Sequence, residues 1–270
     1  GVMDYTFGNF KLFNLEPLPA VNPSPMTPET VAPGTPDQLS VATYNVLNLD
    51  PSDMQFGQFD ALAEDIVTNL RTPDIIGLQE IQDNTGSTDD GVVDATDTYT
   101  MLIESIVSAG GPRYEYRDIA PVDKADGGAP GSNIRVGFLF NPARVDFVDR
   151  MGGTSTNTVT VQMNAFGMPE LSYSPGRIQD PAFVEDAQPG YAGTRKPLAG
   201  EFVFNGNKVF VVVAHLKSKS GDDALFGSVQ PPVENTSAQR TAQAAAINRF
   251  VGDILTMDAN ANVVVLGDFN

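Results

Sequence analysis

Three stretches of this chain are apolar without interruption and then stop at a polar side chain: Ile75-Ile76-Gly77-Leu78 before Gln79-Glu80, Val211-Val212-Val213-Ala214 before His215, and Val263-Val264-Val265-Leu266 before Gly267-Asp268. A strand that is apolar along its whole length must be covered on both faces, which requires a layered α/β arrangement. Such strands in an open α/β sheet deliver functional groups at their carboxyl ends. The chain stops at Asp268-Phe269-Asn270, directly after the last run.

Between these runs the pattern changes period. Leu39 to Val46 reads as a strand. Phe59, Leu62, Ala63, Ile66, Val67 and Leu70 fall on one helical face before Pro73 breaks the helix. Leu102, Ile103, Ile106 and Val107 predict another helix, ended at Gly110-Gly111-Pro112. Strands are expected near 114–119, 134–140 and 144–149, and 82–96 reads as a surface loop. Phe202-Val203-Phe204, a turn at Asn205-Gly206-Asn207, and Lys208 to Ala214 predict a hairpin. Thr236-Ser237-Ala238-Gln239 fits a capping box opening a helix to about Met257. Residues 151–196 are too long for an idle loop and are expected to hold strand that the pattern does not locate.

Ahead of this domain, Tyr5, Phe7, Phe10, Leu12 and Phe13 are spaced like a strand pair, so 1–15 reads as the tail of a preceding domain. Residues 16–37 carry seven prolines, from Pro17 to Pro36, and read as a semi-rigid linker. The main domain is then 38–270.

A net charge of −18 repels polyanions at long range, so a nucleic-acid scaffold protein is disfavoured. An enzyme acting on phosphodiesters remains compatible if metal ions and a few local Arg and Lys residues reverse the field at its cleft. With no cysteine, disulfides and thiolate metal sites are excluded, and the compartment stays open. No run approaches the roughly 20 apolar residues of a membrane span, and no signal peptide is visible. The Asp-rich segments around Asp89-Asp90 and Asp94 to Asp97 allow structural Ca²⁺, though their spacing matches no known loop.

The polar residues closing the apolar strands are the candidates for chemistry: Asn45, Glu80, His215, and Asp268 with Asn270. Hard divalent cations take oxygen ligands, with water and substrate phosphate completing the shell, which suits Glu80 beside Asn45. His215 is the only histidine, and an imidazole there can donate to a phosphoryl oxygen. Taken singly, each has an ordinary reading: an Asx turn for Asn45, a rim carboxylate for Glu80, a hydrogen-bonded core histidine, turn residues for Asp268 and Asn270.

In their order, Thr43-Tyr44-Asn45-Val46-Leu47-Asn48, Leu78-Gln79-Glu80, His215-Leu216-Lys217-Ser218-Lys219 and Gly267-Asp268-Phe269-Asn270 resemble the endonuclease/exonuclease/phosphatase superfamily. Within it the chain looks most like the bacterial secreted nuclease-like branch. The resemblance implies a deoxyribonuclease-like α/β (α+β) fold: a two-sheet mixed β-sandwich flanked by helices, here ending after the Gly-Asp-Phe-Asn strand, about two thirds of the usual domain. It implies Glu80 and Asn45 as metal ligands, with His215, Asp268 and Asn270 catalytic. Arg195 would bind substrate phosphate, with Asn133 and Arg135 as further substrate-side candidates. The implied cofactor is Mg²⁺, with Mn²⁺ or Ca²⁺ possible.

The expected function is metal-dependent phosphodiester hydrolysis by an extracellular or cell-surface nuclease acting on DNA or RNA. The alternatives are a phosphatase or lipid phosphodiesterase of the same superfamily, and a structural protein reusing the fold. The family continues with a further aspartate and an Asp-His pair that this sequence lacks. The expectation is therefore that 1–270 alone is inactive, the remainder of the domain being missing.

Overall fold

The computed structural model describes residues 1–20, 22, 24–126, 131–184 and 193–269. In chain order the elements are β1 (Val2–Thr6), β2 (Asn9–Phe13), β3 (Val41–Leu49), α1 (Gln58–Glu64), β4 (Ile75–Ile81), α2 (Thr96–Ser108), β5 (Glu115–Asp118), β6 (Arg135–Phe140) and β7 (Asp146–Phe147). They continue with β8 (Val161–Met163), β9 (Pro169–Leu171), β10 (Gly176–Arg177), α3 (Pro181–Val184), β11 (Leu198–Phe204), β12 (Asn207–His215), α4 (Ser237–Met257) and β13 (Asn262–Asp268).

Two mixed sheets form the body. One has the order β3-β4-β6-β5; the other has β10-β11-β12-β13, with β7 also on β11. β3 runs parallel to β4, and β12 parallel to β13, while the remaining pairs of these sheets are antiparallel. The period-2 alternation of strands sorts their side chains into layers. Val209, Val211 and Val213 of β12 point between the sheets, where they meet Val136, Phe138, Phe140 and Leu266. Phe210, Val212 and Ala214 point outward onto Ala246, Ile247, Phe250 and Ile254 of α4. On the far side, Ile76, Leu78 and Leu139 face Phe59 and Leu62 of α1 and Leu102 and Ile106 of α2. The sheets are thus packed face to face with helices outside, as the uninterrupted apolar runs require.

Two glycines set how closely strands approach. A Cβ on Gly77 would lie 1.9 Å from Leu266 Cδ1 and 2.7 Å from Val213 Cγ2, so the sheets close only because β4 is bare there. Gly267 has φ 148°, and a Cβ there would lie 1.9 Å from the Ala214 carbonyl oxygen. Gly267 immediately precedes Asp268, and Gly77 lies three residues before Glu80.

The hairpin expected around Asn205-Gly206 forms as β11 and β12. Residues 1–15 hold the β1–β2 hairpin, whose Phe10 N–H donates to the Phe226 carbonyl at 2.7 Å. The proline-rich segment is tied to the sandwich by Val31 N–H to Asn69 O at 2.9 Å and by Arg144 Nη1 to Pro36 O at 3.1 Å. Between 151 and 196 the described residues supply β8, β9, β10 and α3. The strand expected at 144–149 shrinks to the two residues of β7.

The capping box expected at Thr236 does not form. Its side chain makes no cap bond to α4, because the N–H and Oγ1 of Thr236 both donate to Asp222 Oδ1, at 2.7 and 2.9 Å. A carboxylate from the preceding loop has replaced the local cap. Arg240 completes this knot by donating to Asp222 and Thr236, tying α4 to the loop.

Candidate functional site

The parallel pairs β3/β4 and β12/β13 bring their carboxyl ends to one edge of the sandwich. Register places Asn45 opposite Gln79 and His215 opposite Asp268. Just beyond, both ladders of β4 slip. The pairing with β3 shifts between Asn45 and Leu49, and that with β6 between Leu78 and Ile81. Within these irregularities Leu47, Asn48 and Glu80 adopt positive φ, 57°, 53° and 65°. A bulge of this kind breaks the strict alternation and re-aims a side chain. Here it turns the Glu80 carboxylate toward Asn45 and His215.

The resulting contacts are short. Asn45 Nδ2 donates to Glu80 Oε1 at 2.9 Å and to Asp268 Oδ2 at 3.1 Å. Asn45 Oδ1 accepts the Leu47 N–H at 3.0 Å, which fixes the amide's orientation. The Asn48 N–H donates to Glu80 Oε2 at 3.1 Å. His215 Nε2 lies 3.8 Å from Glu80 Oε1, its ring is buried, and Nδ1 has no partner among the described residues. Burial, helped by the nearby Arg195 charge and opposed by Asp268, holds the imidazole pKa down to about 3. The imidazole is therefore neutral at neutral pH, with one ring N–H to donate.

Two carboxylates converging on a single amide nitrogen, with an imidazole beside them, form an oxygen-rich set of the kind a hard cation takes. Among the described residues no three acidic or histidine side chains close into a cage.

The other candidates divide. Arg195 is buried, and its Nη2 donates to the carbonyl of Leu216, the residue after His215. Lys196 beside it donates to the buried Asp126, which anchors the segment. Asn133 and Arg135 do not join the cluster. Asn133 Nδ2 donates to Asp83, Asp123 and the Val92 carbonyl, and its Oδ1 accepts the Lys124 N–H, so it pins loops together. Arg135 is 1 % exposed and is committed to Asp118 Oδ2 at 3.3 Å and the Asn133 carbonyl at 3.1 Å. Asn270 lies outside the described residues. The Asp-rich segments spend their carboxylates on local partners, Asp89 on Lys124 and Asp94 on Thr96. Asn48 was not singled out in the sequence, because its contribution comes through its backbone N–H; an Asn in a left-handed conformation beside a strand end is the only trace it leaves.

Fold and site together define a deoxyribonuclease-like α/β sandwich with acidic, amide and imidazole groups at one sheet edge. The chain belongs to the Endonuclease/Exonuclease/phosphatase family, whose model matches residues 42–270. Among solved structures it is similar to D. rerio TDP2 humanized by 14 mutations, at 19% identity over 86% of this chain and 66% of that one, with a TM-score of 0.45. It is also similar to the human Nocturnin catalytic domain with bound sulfate, at 16% identity over 86% and 64% of the two chains, TM-score 0.47. An endonuclease/exonuclease/phosphatase family protein from Bacteroides thetaiotaomicron matches at 14% identity over 86% and 63%, TM-score 0.44. The chain thus spans less than two thirds of the length of each of these three structures. Comparison with curated protein sequences finds no match. The family comprises hydrolases of phosphoester bonds, which generally use divalent metal ions.

Proposed function

We propose that the protein is a metal-dependent phosphodiester hydrolase acting on nucleic acid. The observation that carries this reading is the convergence of Glu80 and Asp268 on the Asn45 amide, beside the neutral, buried His215. Two carboxylates meeting at one amide nitrogen concentrate negative charge, which a cation between them and a phosphate would offset. Held by Glu80 and Asn45, Mg²⁺ would neutralise charge on the phosphoryl oxygens, a contribution worth about several kcal/mol.

The chain's own groups would do the rest. Asp268 orients the attacking water and accepts its proton as the new P–O bond forms. The bond to the leaving oxygen breaks in line, and that oxygen is protonated from solvent. His215 donates a ring N–H to a non-bridging oxygen, and the Arg195 guanidinium adds positive charge beside the phosphate. Asn270 is proposed to steady the same phosphate.

The test is plasmid nicking with Mg²⁺ by the natural protein, its full length verified by intact mass, beside Glu80→Ala. Mg²⁺-dependent nicking that Glu80→Ala abolishes supports the reading. A natural protein that leaves plasmid DNA, RNA and a small diester such as bis-p-nitrophenyl phosphate intact overturns it.

A further inference from the structure

Gln243 lies in the second turn of α4, fully buried, between Arg240 and the apolar stripe of Ala246, Ile247, Phe250 and Ile254. An apolar residue would pack there, so a carboxamide needs a reason. Its Oε1 accepts the Lys217 N–H at 2.8 Å, and its Nε2 donates to Thr194 Oγ1 at 2.8 Å and to the Ala182 carbonyl at 3.1 Å.

These partners are not scattered. The Lys217 N–H belongs to the same peptide unit as the Leu216 carbonyl, and that carbonyl accepts from Arg195 Nη2. One planar unit, the second peptide after His215, is therefore held on both sides, by Arg195 Nη2 and by the glutamine. Leu216 also donates its own N–H to the Asp268 carbonyl at 3.0 Å. At the other end of the carboxamide, Thr194 immediately precedes Arg195. Its N–H and Oγ1 are fixed on the Phe183 carbonyl at 2.7 and 3.3 Å.

We propose that Gln243 is a positioning residue that sets where the Arg195 guanidinium stands. It holds both the peptide that receives the guanidinium and the residue from which Arg195 springs. The inference rests on the reading of Arg195 as a ligand of substrate phosphate. The amide is required because one end must accept and the other donate. Methionine fills the same volume and does neither, and glutamate would set an oxygen against the Ala182 carbonyl.

The experiment compares full-length wild type, Gln243→Met, Thr194→Val, Arg195→Met, and each of the first two combined with Arg195→Met. Inorganic phosphate is titrated in the presence of Mg²⁺, and hydrogen exchange is followed at the Lys217 amide, with Val211 to Val213 as internal references. Gln243→Met and Thr194→Val are each expected to weaken phosphate binding about tenfold, the size of one lost hydrogen bond. Each double variant should bind no more weakly than Arg195→Met alone, since a residue acting through Arg195 has nothing left to position. The Lys217 amide should exchange at least about tenfold faster in Gln243→Met, with the β12 amides unchanged. Additive losses, or folded single variants with wild-type phosphate affinity, overturn the proposal. If wild type binds no phosphate, the reading of Arg195 fails, and the Lys217 amide still decides on the clamp: protection that survives Gln243→Met refutes it. If Gln243→Met does not fold, Thr194→Val decides by the same phosphate comparison.

Discussion

At the scale of single residues, Glu80 holds a left-handed backbone conformation within a strand, a state that costs a non-glycine residue about 1 kcal/mol or more. Its carboxylate meets that of Asp268 at the Asn45 amide nitrogen, so a cation bound there would face two negative charges. Glu80→Gln should therefore lower Mg²⁺-dependent hydrolysis by about 100-fold or more, the loss of a contribution worth several kcal/mol. In ion-free buffer the same variant should melt at or above the wild-type temperature, and it should lose the rise in melting temperature that Mg²⁺ gives wild type. A Glu80→Gln protein that melts well below wild type without Mg²⁺ would mean that the carboxylate is structural. Most of these residues were legible in the sequence, because each closes an apolar strand and the four motifs come in a recognisable order. Asn133 and Arg135 show where that reasoning stops: an Asn and an Arg are plausible phosphate ligands by residue type, and only the fold shows them bonded to Asp83, Asp123 and Asp118, away from the cluster.

At the scale of elements, β4 meets the opposite sheet through Gly77. Gly77→Ala would drive a methyl into Leu266 and Val213 and is expected to cost about 1–3 kcal/mol in chemical denaturation, the usual penalty of overpacking. Asp222 governs the start of α4. Burial pulls its pKa up, but the Thr236 N–H and hydroxyl together with Arg240 outweigh this, leaving the carboxyl below its ordinary range. A carboxyl lowered by folding adds stability that is complete above its unfolded pKa of about 3.9 and is lost as pH falls through the lowered value. The amides of the first turn of α4 should thus lose exchange protection in that acid window. In Asp222→Asn the loss specific to this window should vanish, with protection lower at neutral pH. The helix itself was legible from its apolar stripe. Its cap was not, since a Thr followed by a Gln three residues on looks like a local box, and a distant carboxylate competes for the same threonine only after folding.

For the whole molecule, a net charge of −18 surrounds a site proposed to take polyanions. Raising monovalent salt from about 10 to 150 mM shortens the Debye length from about 30 to 8 Å and screens that long-range repulsion. KM for plasmid DNA at fixed Mg²⁺ should accordingly fall over this range, the reverse of what basic nucleic-acid-binding proteins show. A KM that rises steadily with salt would show that local cations dominate the approach. That the strands are covered on both faces was legible from their apolar runs, and the two-sheet arrangement from the resemblance that the four motifs carry. The segment 151–196 was not, because its strands are two or three residues long and carry too few side chains to display a period. The β1–β2 hairpin has a further consequence. Its Phe10 N–H and Asn9 Oδ1 clasp both backbone groups of Phe226, in the loop that leaves the His215 strand. Anyone who trims the polypeptide to begin at residue 38, where the sandwich starts, would also unfasten that loop at the opposite end of the sequence.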